Sequence, residues 1–208
     1  MKQTLGSITW SYRTAAAGIL LSLCASASLV SSFSAAQEPH PYVHREQARD
    51  IVKQFASQLK PELVSIMRTD GPVAAIKVCA ERAPEIAASL SEQTGWQVKR
   101  VSLKARNQIT AIPDEWEQQI LRSFEKSAVN GIPIKPLFAE LQNDKQYRYM
   151  QAQPVGALCL HCHGSNLTPG IKKALAETYP KDIATGYQLN QIRGAFSLVL
   201  QLPEAAEH

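Results

Sequence analysis

The chain has 208 residues, of which 45% are hydrophobic and 19% charged, and this composition is typical of a folded protein with one globular domain rather than a disordered or fibrous one. Its formal charge of +4 is too small to indicate nucleic-acid binding.

The chain begins with a pattern typical of a secretory signal peptide. Lys2 and Arg13 give a basic start, residues 15–30 form an apolar run, and small residues precede a cleavage site after Ala36, with Ala27 as the alternative. Because this removes two basic residues and no acidic one, the formal charge of the mature chain falls from +4 to +2. We therefore expect a periplasmic protein.

Two other roles of the N-terminus are disfavoured. The apolar run is shorter than the roughly 20 residues of a membrane span and is diluted by serines, so we expect no stable membrane insertion after cleavage. Cys24 raises a lipoprotein alternative, but the preceding Leu23 is bulky where lipid modification needs a small residue. We predict a signal peptide at residues 1–36, a linker at 37–43 and one domain at 44–208.

Two helices are predicted first in that domain. A pattern of helical period starts near His44 and runs to Met67, with Pro61 as a possible end or kink. Gly71-Pro72 breaks the chain, and a second helix follows whose apolar stripe includes Cys79.

Strands and shorter helices follow. Residues 96–104 alternate as a half-buried strand does, and residues 114–129 predict a third helix with acidic residues at its start. "KPLFAEL" and "QYRYMQAQ" predict an antiparallel hairpin, Thr168-Pro169 begins a short helix, and residues 186–203 predict two strands around Arg193-Gly194. This order favours an α+β domain with helices packed on an antiparallel sheet.

A cysteine and histidine motif lies between the hairpin and the short helix. Cys159, two spacers, Cys162 and an immediate His163 form the arrangement that attaches haem covalently. Two thiols at this spacing can add to both vinyl groups of one porphyrin while the histidine binds its iron. We predict one covalent c-type haem, with His163 as the proximal iron ligand. His161 is interpreted as an exposed spacer.

Other chemistries fit the motif less well. Structural zinc needs four ligands around one ion, and the ligands here are crowded together with no second pair at ligand spacing. A thioredoxin-like pair has no histidine directly after its second cysteine. A structural disulfide between Cys159 and Cys162 is the remaining alternative.

The second axial position of the iron has several candidate ligands. The mature chain offers Met67, Met150, His40, His44, His208 and Cys79. The three histidines lie near the termini, where a mobile segment is a poor source of a fixed ligand. Cys79 would be an unpaired thiol in an oxidising compartment, and the residues alone leave open whether it binds iron or packs as a small apolar side chain.

Five ordered blocks resemble a known family. The blocks are "AIKVCAERAPEIA", "VKRVSLKARN", "PDEWE", "YMQAQPVGALCLHCHG" and "YPKDIATGYQLNQIRGAFSL". They are similar to periplasmic c-type haem proteins with a PAS-like fold, long catalogued as a domain of unknown function, whose members stand alone or form the sensory part of membrane histidine kinases. The resemblance implies a PAS-like α+β fold, with Cys79 as the distal iron ligand opposite His163.

One block departs from the family pattern. Where the family commonly has arginine, asparagine, proline and a further asparagine, this chain has Arg106, Asn107, Gln108, Ile109 and Thr110. The haem propionates also need counter-charges. Arg106 is predicted as their first partner, with these other candidates: Arg100, Lys104, Arg148 and Arg193.

Three functions are compatible with such a haem. Loss or exchange of a Cys79 thiolate on reduction, or on binding of nitric oxide or carbon monoxide, would suit a redox or gas-responsive sensor acting on a signalling partner. A periplasmic electron-transfer cytochrome, which would meet redox partners through an exposed haem edge, is the alternative. A haem enzyme would need an open distal position with a histidine and arginine pair; nothing in the sequence supplies it, so we predict a protein that is not an enzyme.

Overall fold

The computed structural model describes residues 41–134 and 137–203. The predicted signal peptide at 1–36 lies outside the described residues, as do residues 37–40 of the predicted linker. The elements are, in chain order, α1 (Pro41–Thr69), α2 (Gly71–Thr94), β1 (Gln97–Val101), α3 (Glu115–Val129), β2 (Phe138–Gln142), β3 (Gln146–Pro154), α4 (Leu160–His163), α5 (Pro169–Thr178) and β4 (Ile192–Gln201).

The described strands form one antiparallel sheet in the order β1-β4-β3-β2. Residues 143–145 connect the predicted hairpin of β2 and β3, in which Phe138 pairs with Gln151 and Gln142 with Tyr147. The C-terminal β4 lies between β1 and β3, pairing with both. The predicted α+β class with an antiparallel sheet and flanking helices is confirmed.

The prediction of two strands around Arg193-Gly194 is wrong. Both residues lie inside β4, which crosses the sheet as a single strand. Gly194 is needed for close packing rather than for a turn, because a Cβ there would lie 2.3 Å from the carbonyl oxygen of Val101 on β1. In the sequence, a glycine that allows a neighbouring strand to approach closely cannot be distinguished from a glycine in a turn.

The first helix differs from its prediction at its start. It begins at Pro41 instead of near His44, and it runs through Pro61 without ending there. His44 is buried against Trp96 and Tyr147, with ring centroids 6.4 Å and 5.2 Å away. The expectation that His44 belongs to a mobile terminal segment is therefore wrong.

The sheet has two covered faces. One face packs against α1 and α2 in a core that includes Phe55, Leu90, Tyr149 and Leu198. The other face packs against α3, and its core includes Val101, Leu121, Phe124 and Met150. Since side chains alternate along a strand, neighbouring strand residues face different layers. Within residues 41–134 and 137–203, no helix is both long and apolar enough to cross a membrane.

Candidate functional site

The cysteine and histidine motif folds into a compact turn directly after the sheet. A 3-10 turn at Ala157–Cys159 continues into α4, so Cys159, Cys162 and His163 lie on consecutive helical turns. The helix ends at Gly164, where a Cβ would lie 2.6 Å from the carbonyl oxygen of Leu160. Residues three apart on a helix share a face, so the spacing places both thiols on one side.

His163 is fixed by a backbone carbonyl. Its Nδ1 lies 2.7 Å from the Ala184 oxygen, and because a carbonyl only accepts, Nδ1 must carry the proton and donate it. This assigns the lone pair to Nε2. Burial, Arg193 and Arg106 lower the pKa of His163 to about 2, so the ring is neutral at physiological pH. A neutral imidazole with a bonded Nδ1–H is what a metal-binding histidine requires.

The two motif cysteines have different apolar surroundings. Cys159 packs against Val155, Ala184 and Tyr187, whereas Cys162 packs against a cluster of Ile76, Ile171 and Leu175. Burial raises the pKa of the Cys162 thiol. Cys79, Cys159 and Cys162 are all unpaired in the described part of the chain, so the structure does not contain the alternative disulfide.

Cys79 lies on the helix that packs against the motif. α2 contacts both α4 and α5, and Ile76, one turn before Cys79, belongs to the same cluster as Cys162. Cys79 is half-buried rather than fully enclosed. Burial raises its thiol pKa, while Arg100, Arg106 and Arg193 oppose this shift. The prediction that Cys79 binds iron stays a prediction, and the structure places this thiol on the side of α2 that faces the motif.

The other predicted sixth-ligand candidates lie elsewhere. Met150 is fully buried on the α3 face of the sheet, so the sheet separates it from α2. His44 is enclosed in the core under α1. Met67 is half-buried near the end of α1, and His161 is exposed, as predicted for a spacer. His40 and His208 lie outside the described residues.

Arg106 is the predicted propionate partner, and the structure gives it other bonds. Its Nε donates to Asp182 at 3.0 Å in an ion pair whose side chains are each 8% exposed. Its Nη2 donates to the carbonyl oxygens of Cys162 and Ala184. Arg106 therefore connects three segments: its own loop, the motif, and residues 182–184, whose Ala184 carbonyl accepts the hydrogen bond from His163. Its pairing with a propionate stays a prediction.

Asp182 and Ala184 are neighbours of the site that the sequence did not single out, whereas Arg193 was one of its propionate candidates. Arg193 donates from Nη1 to Ser102 Oγ at 3.1 Å, and its Nε lies 3.3 Å from His163 Nε2. Asp182 and Ala184 follow α5 in a loop with no periodic pattern. The only sequence signal for them is that they fall within the last block of the family resemblance.

The residues fit a covalently held haem. Two thiols lie within one turn of a neutral imidazole, and a third thiol comes from α2. Arg106 Nη1 and Arg193 Nε approach His163 Nε2 at 3.4 Å and 3.3 Å. Because Nε2 has a single lone pair, these contacts and an iron bond exclude each other.

Two comparisons place the chain among known proteins. A family model described as "Tll0287-like: Tll0287" matches residues 28–200. The crystal structure of the cyanobacterial heme-protein Tll0287 superposes with a TM-score of 0.58 at 23% identity, covering 81% of this chain and 99% of that one. At this identity the likeness shows the fold, and the predicted PAS-like architecture is confirmed. No curated protein matches the sequence.

Proposed function

Because this chain belongs to the Tll0287-like family, we propose that it is an exported haem protein in which Cys159 and Cys162 hold one haem covalently and His163 binds its iron. One observation carries the proposal. Both thiols and the imidazole come from residues 159–163, on two consecutive helical turns, and the bond from His163 Nδ1 to Ala184 leaves Nε2 as the metal-binding atom. The solved relative described as a heme-protein supports the same reading.

Bound haem would supply a redox-active iron, and the protein would control what reaches it. Cys79 is proposed as the second axial ligand, because α2 packs on the motif and presents this thiol beside three arginines. Positive charge favours the thiolate, which is the form that binds metal. The alternative thioether of Met150 lies in the other layer of the fold.

We propose a sensor role because the two iron ligands belong to separate elements. His163 is on α4, whereas Cys79 is in the middle of the 24-residue α2, which continues into the core under the sheet. Release of the Cys79 thiol would free a helix whose Ile86 and Leu90 are part of that core. A change at the site would thereby reach the hydrophobic core that packs on the sheet.

An electron carrier is the second candidate, and one observation favours it. Gly156, Ala157 and His161 of the motif are exposed, so a redox partner could approach the attachment site directly. In that case both axial ligands stay bound in each oxidation state.

The test uses the purified holoprotein in both oxidation states. We expect optical and electron paramagnetic spectra of a low-spin ferric thiolate, lost in Cys79→Ser and retained in the matched control Met67→Leu. An unchanged Cys79→Ser spectrum would remove Cys79 as a ligand. Absence of covalent haem in the wild-type protein would overturn the proposed function.

A second measurement separates sensor from carrier. For a sensor, carbon monoxide should bind the reduced protein rapidly, and amide hydrogen exchange should increase in α2 on reduction. Exclusion of carbon monoxide, with unchanged exchange in α2, would favour the carrier.

A further inference from the structure

Arg100 is a cation placed on an apolar layer. It lies on the same face of β1 as Val98, the face that packs against α1 and α2, and it pairs across the sheet with Phe196 of the same core. Its guanidinium carbon lies 5.4 Å from the ring centre of Phe55. Among the described residues, none offers Arg100 a hydrogen bond or a carboxylate.

The surroundings of Arg100 do not neutralise it. Burial lowers its pKa, and the ionisable groups that act on it are Cys79, Tyr179 and Cys159. The ionisable neighbours of Arg100 are therefore two thiols and a phenol, and no carboxylate of the described residues is among them. Arg100 is half-buried, and a charge without a protein partner on an apolar face is costly, so proteins generally pair it or place it at a binding site.

Arg193 is in a similar position. Its Nη1 donates to Ser102 Oγ and to the Lys104 carbonyl, and its Nε lies against His163, but no described carboxylate pairs with it. Burial lowers its pKa, and the nearby Arg106 and Arg100 lower it further. Its Nε lies 3.1 Å from His163 Nδ1 and 3.3 Å from Nε2. Since Nδ1 carries a proton, an iron bond at Nε2 would leave this Nε without an acceptor on the ring.

The three arginines near the motif carry more positive charge than their carboxylate partner neutralises. Arg100, Arg106 and Arg193 carry three positive charges, and Asp182, bound to Arg106, is the carboxylate among the described residues that pairs with them. The formal excess is therefore two positive charges. A ligand with two carboxylates would balance it, because guanidinium groups bind carboxylates through paired hydrogen bonds.

We propose that Arg100 and Arg193 bind the two carboxylates of the haem, while Arg106 remains paired with Asp182. The inference rests on the proposed haem function and assigns the propionate sites within it. It differs from the sequence prediction, which took Arg106 as the first propionate partner. Arg106 has its donors committed to Asp182, Cys162 and Ala184, whereas Arg100 and Arg193 retain donors for a ligand.

The test compares two porphyrins that differ only in these carboxylates. Ferric protoporphyrin IX and its dimethyl ester are titrated into the full chain carrying Cys159→Ser and Cys162→Ser, which makes binding reversible. We expect Arg100→Gln and Arg193→Gln each to weaken binding of the free acid by about tenfold or more and to leave binding of the ester unchanged. The matched control is Arg68→Gln, which removes the same charge from an exposed position on α1.

Stability of the haem-free chain provides a readout independent of haem. Arg100→Gln should leave its melting temperature unchanged or raised, since the substitution removes a half-buried charge that has no protein partner. Arg106→Gln should lower it, because Asp182 would lose its partner. A purely structural Arg100 would instead behave like Arg106.

Each outcome decides between the alternatives. Equal weakening of acid and ester, or no weakening of either, overturns the assignment while the haem function stands. Failure of the parent chain to bind either porphyrin overturns the proposed function and the inference with it. Succinate, a free dicarboxylate, should not change the melting temperature. If succinate stabilises the parent chain but not its Arg100→Gln variant, and both porphyrins bind with equal affinity, the site binds a free dicarboxylate and the inference is overturned.

Discussion

The His163 side chain depends on a small network of residues from separate segments. Ala184 orients its ring, and Asp182 holds the Arg106 side chain that also binds the Ala184 carbonyl. Asp182 additionally accepts a hydrogen bond from the Ala184 backbone N–H at 2.7 Å. One carboxylate thereby positions both the arginine and the carbonyl that define the imidazole tautomer.

Asp182→Asn should be strongly destabilising because it leaves a buried guanidinium without its anion. We expect the free energy of unfolding of the haem-free chain to fall by about 3 kcal/mol. Urea unfolding measures this loss. The control is Glu177→Gln, whose exposed pair with Lys173 should contribute less than about 0.5 kcal/mol. Equal small effects of both substitutions would contradict the role assigned to Asp182.

Among the elements, β4 organises the sheet. It pairs with β1 on one side and β3 on the other, and its Gly194 lets the β1 backbone approach. The same region carries Arg193, so the packing of this strand determines where that side chain lies relative to His163.

Gly194→Ala should disturb this packing. An added Cβ 2.3 Å from the Val101 oxygen requires the backbone to shift, and we expect a loss of about 1–3 kcal/mol in the free energy of unfolding. Thermal unfolding monitored by circular dichroism would show it. Gly170→Ala is the control, because its Cβ would make an ordinary 3.7 Å contact with Val73 and should leave stability nearly unchanged. A stable Gly194→Ala protein would show that β1 and β4 are not so closely packed.

The start of α1 is attached to the edge strand β2. Arg45 donates from Nε to Glu140 at 2.8 Å, and the Tyr147 hydroxyl donates to the same carboxylate at 2.5 Å. The bond from Arg45 lowers the pKa of Glu140, an effect that burial opposes and the Tyr147 bond reinforces. This attachment holds the predicted N-terminal end of the domain against the sheet.

The attachment should be sensitive to acid. A carboxyl group whose pKa is lowered on folding stabilises the protein above its unfolded-state value near 4.5, and this contribution is lost as the pH falls through its folded-state pKa. We therefore expect Glu140→Gln to be less stable than wild type at pH 7 and to lose less stability between pH 5 and pH 3. Urea unfolding at several pH values tests this. Glu81→Gln, at an exposed site on α2, should follow the wild-type pH profile; parallel profiles for wild type and Glu140→Gln would contradict the expectation.

At the scale of the whole molecule, two layers of helices cover one sheet, and the site lies on the side covered by α2. The core under α1 and α2 continues from Trp96 and Tyr147 to Phe196, next to Arg100. The site is thus built beside this core, from the motif turn and the loop after α5.

Export and haem attachment should be visible in the mass of the whole protein. Expression with a c-type maturation system should give a chain that begins at Gln37 and carries the added mass of one haem, as measured by intact mass spectrometry. Cys159→Ser combined with Cys162→Ser should give the same N-terminus without the added mass. A chain that retains Met1 would contradict the predicted cleavage, and a wild-type chain without haem would contradict attachment.

The sequence by itself determined the features that depend on local order. The spacing of Cys159, Cys162 and His163 identifies an attachment motif because both thioether bonds and the histidine ligand come from one short segment. Periodicity likewise predicted the long helices and the β2–β3 hairpin, since each is stabilised by residues close in the chain. The prediction of two strands failed at Gly194, because the backbone that leaves no room for a side chain there belongs to Val101, which is far away in sequence.

Only the tertiary structure decided which charges surround the motif. Arg106 is 57 residues from His163, 76 from Asp182 and 78 from Ala184, and Arg193 is 30 residues from His163. No local pattern records such contacts, because they form when β1, β4 and the loop after α5 pack together. For the same reason the sequence could place Arg100 on a strand but could not show that it lies in an apolar layer without a counter-charge.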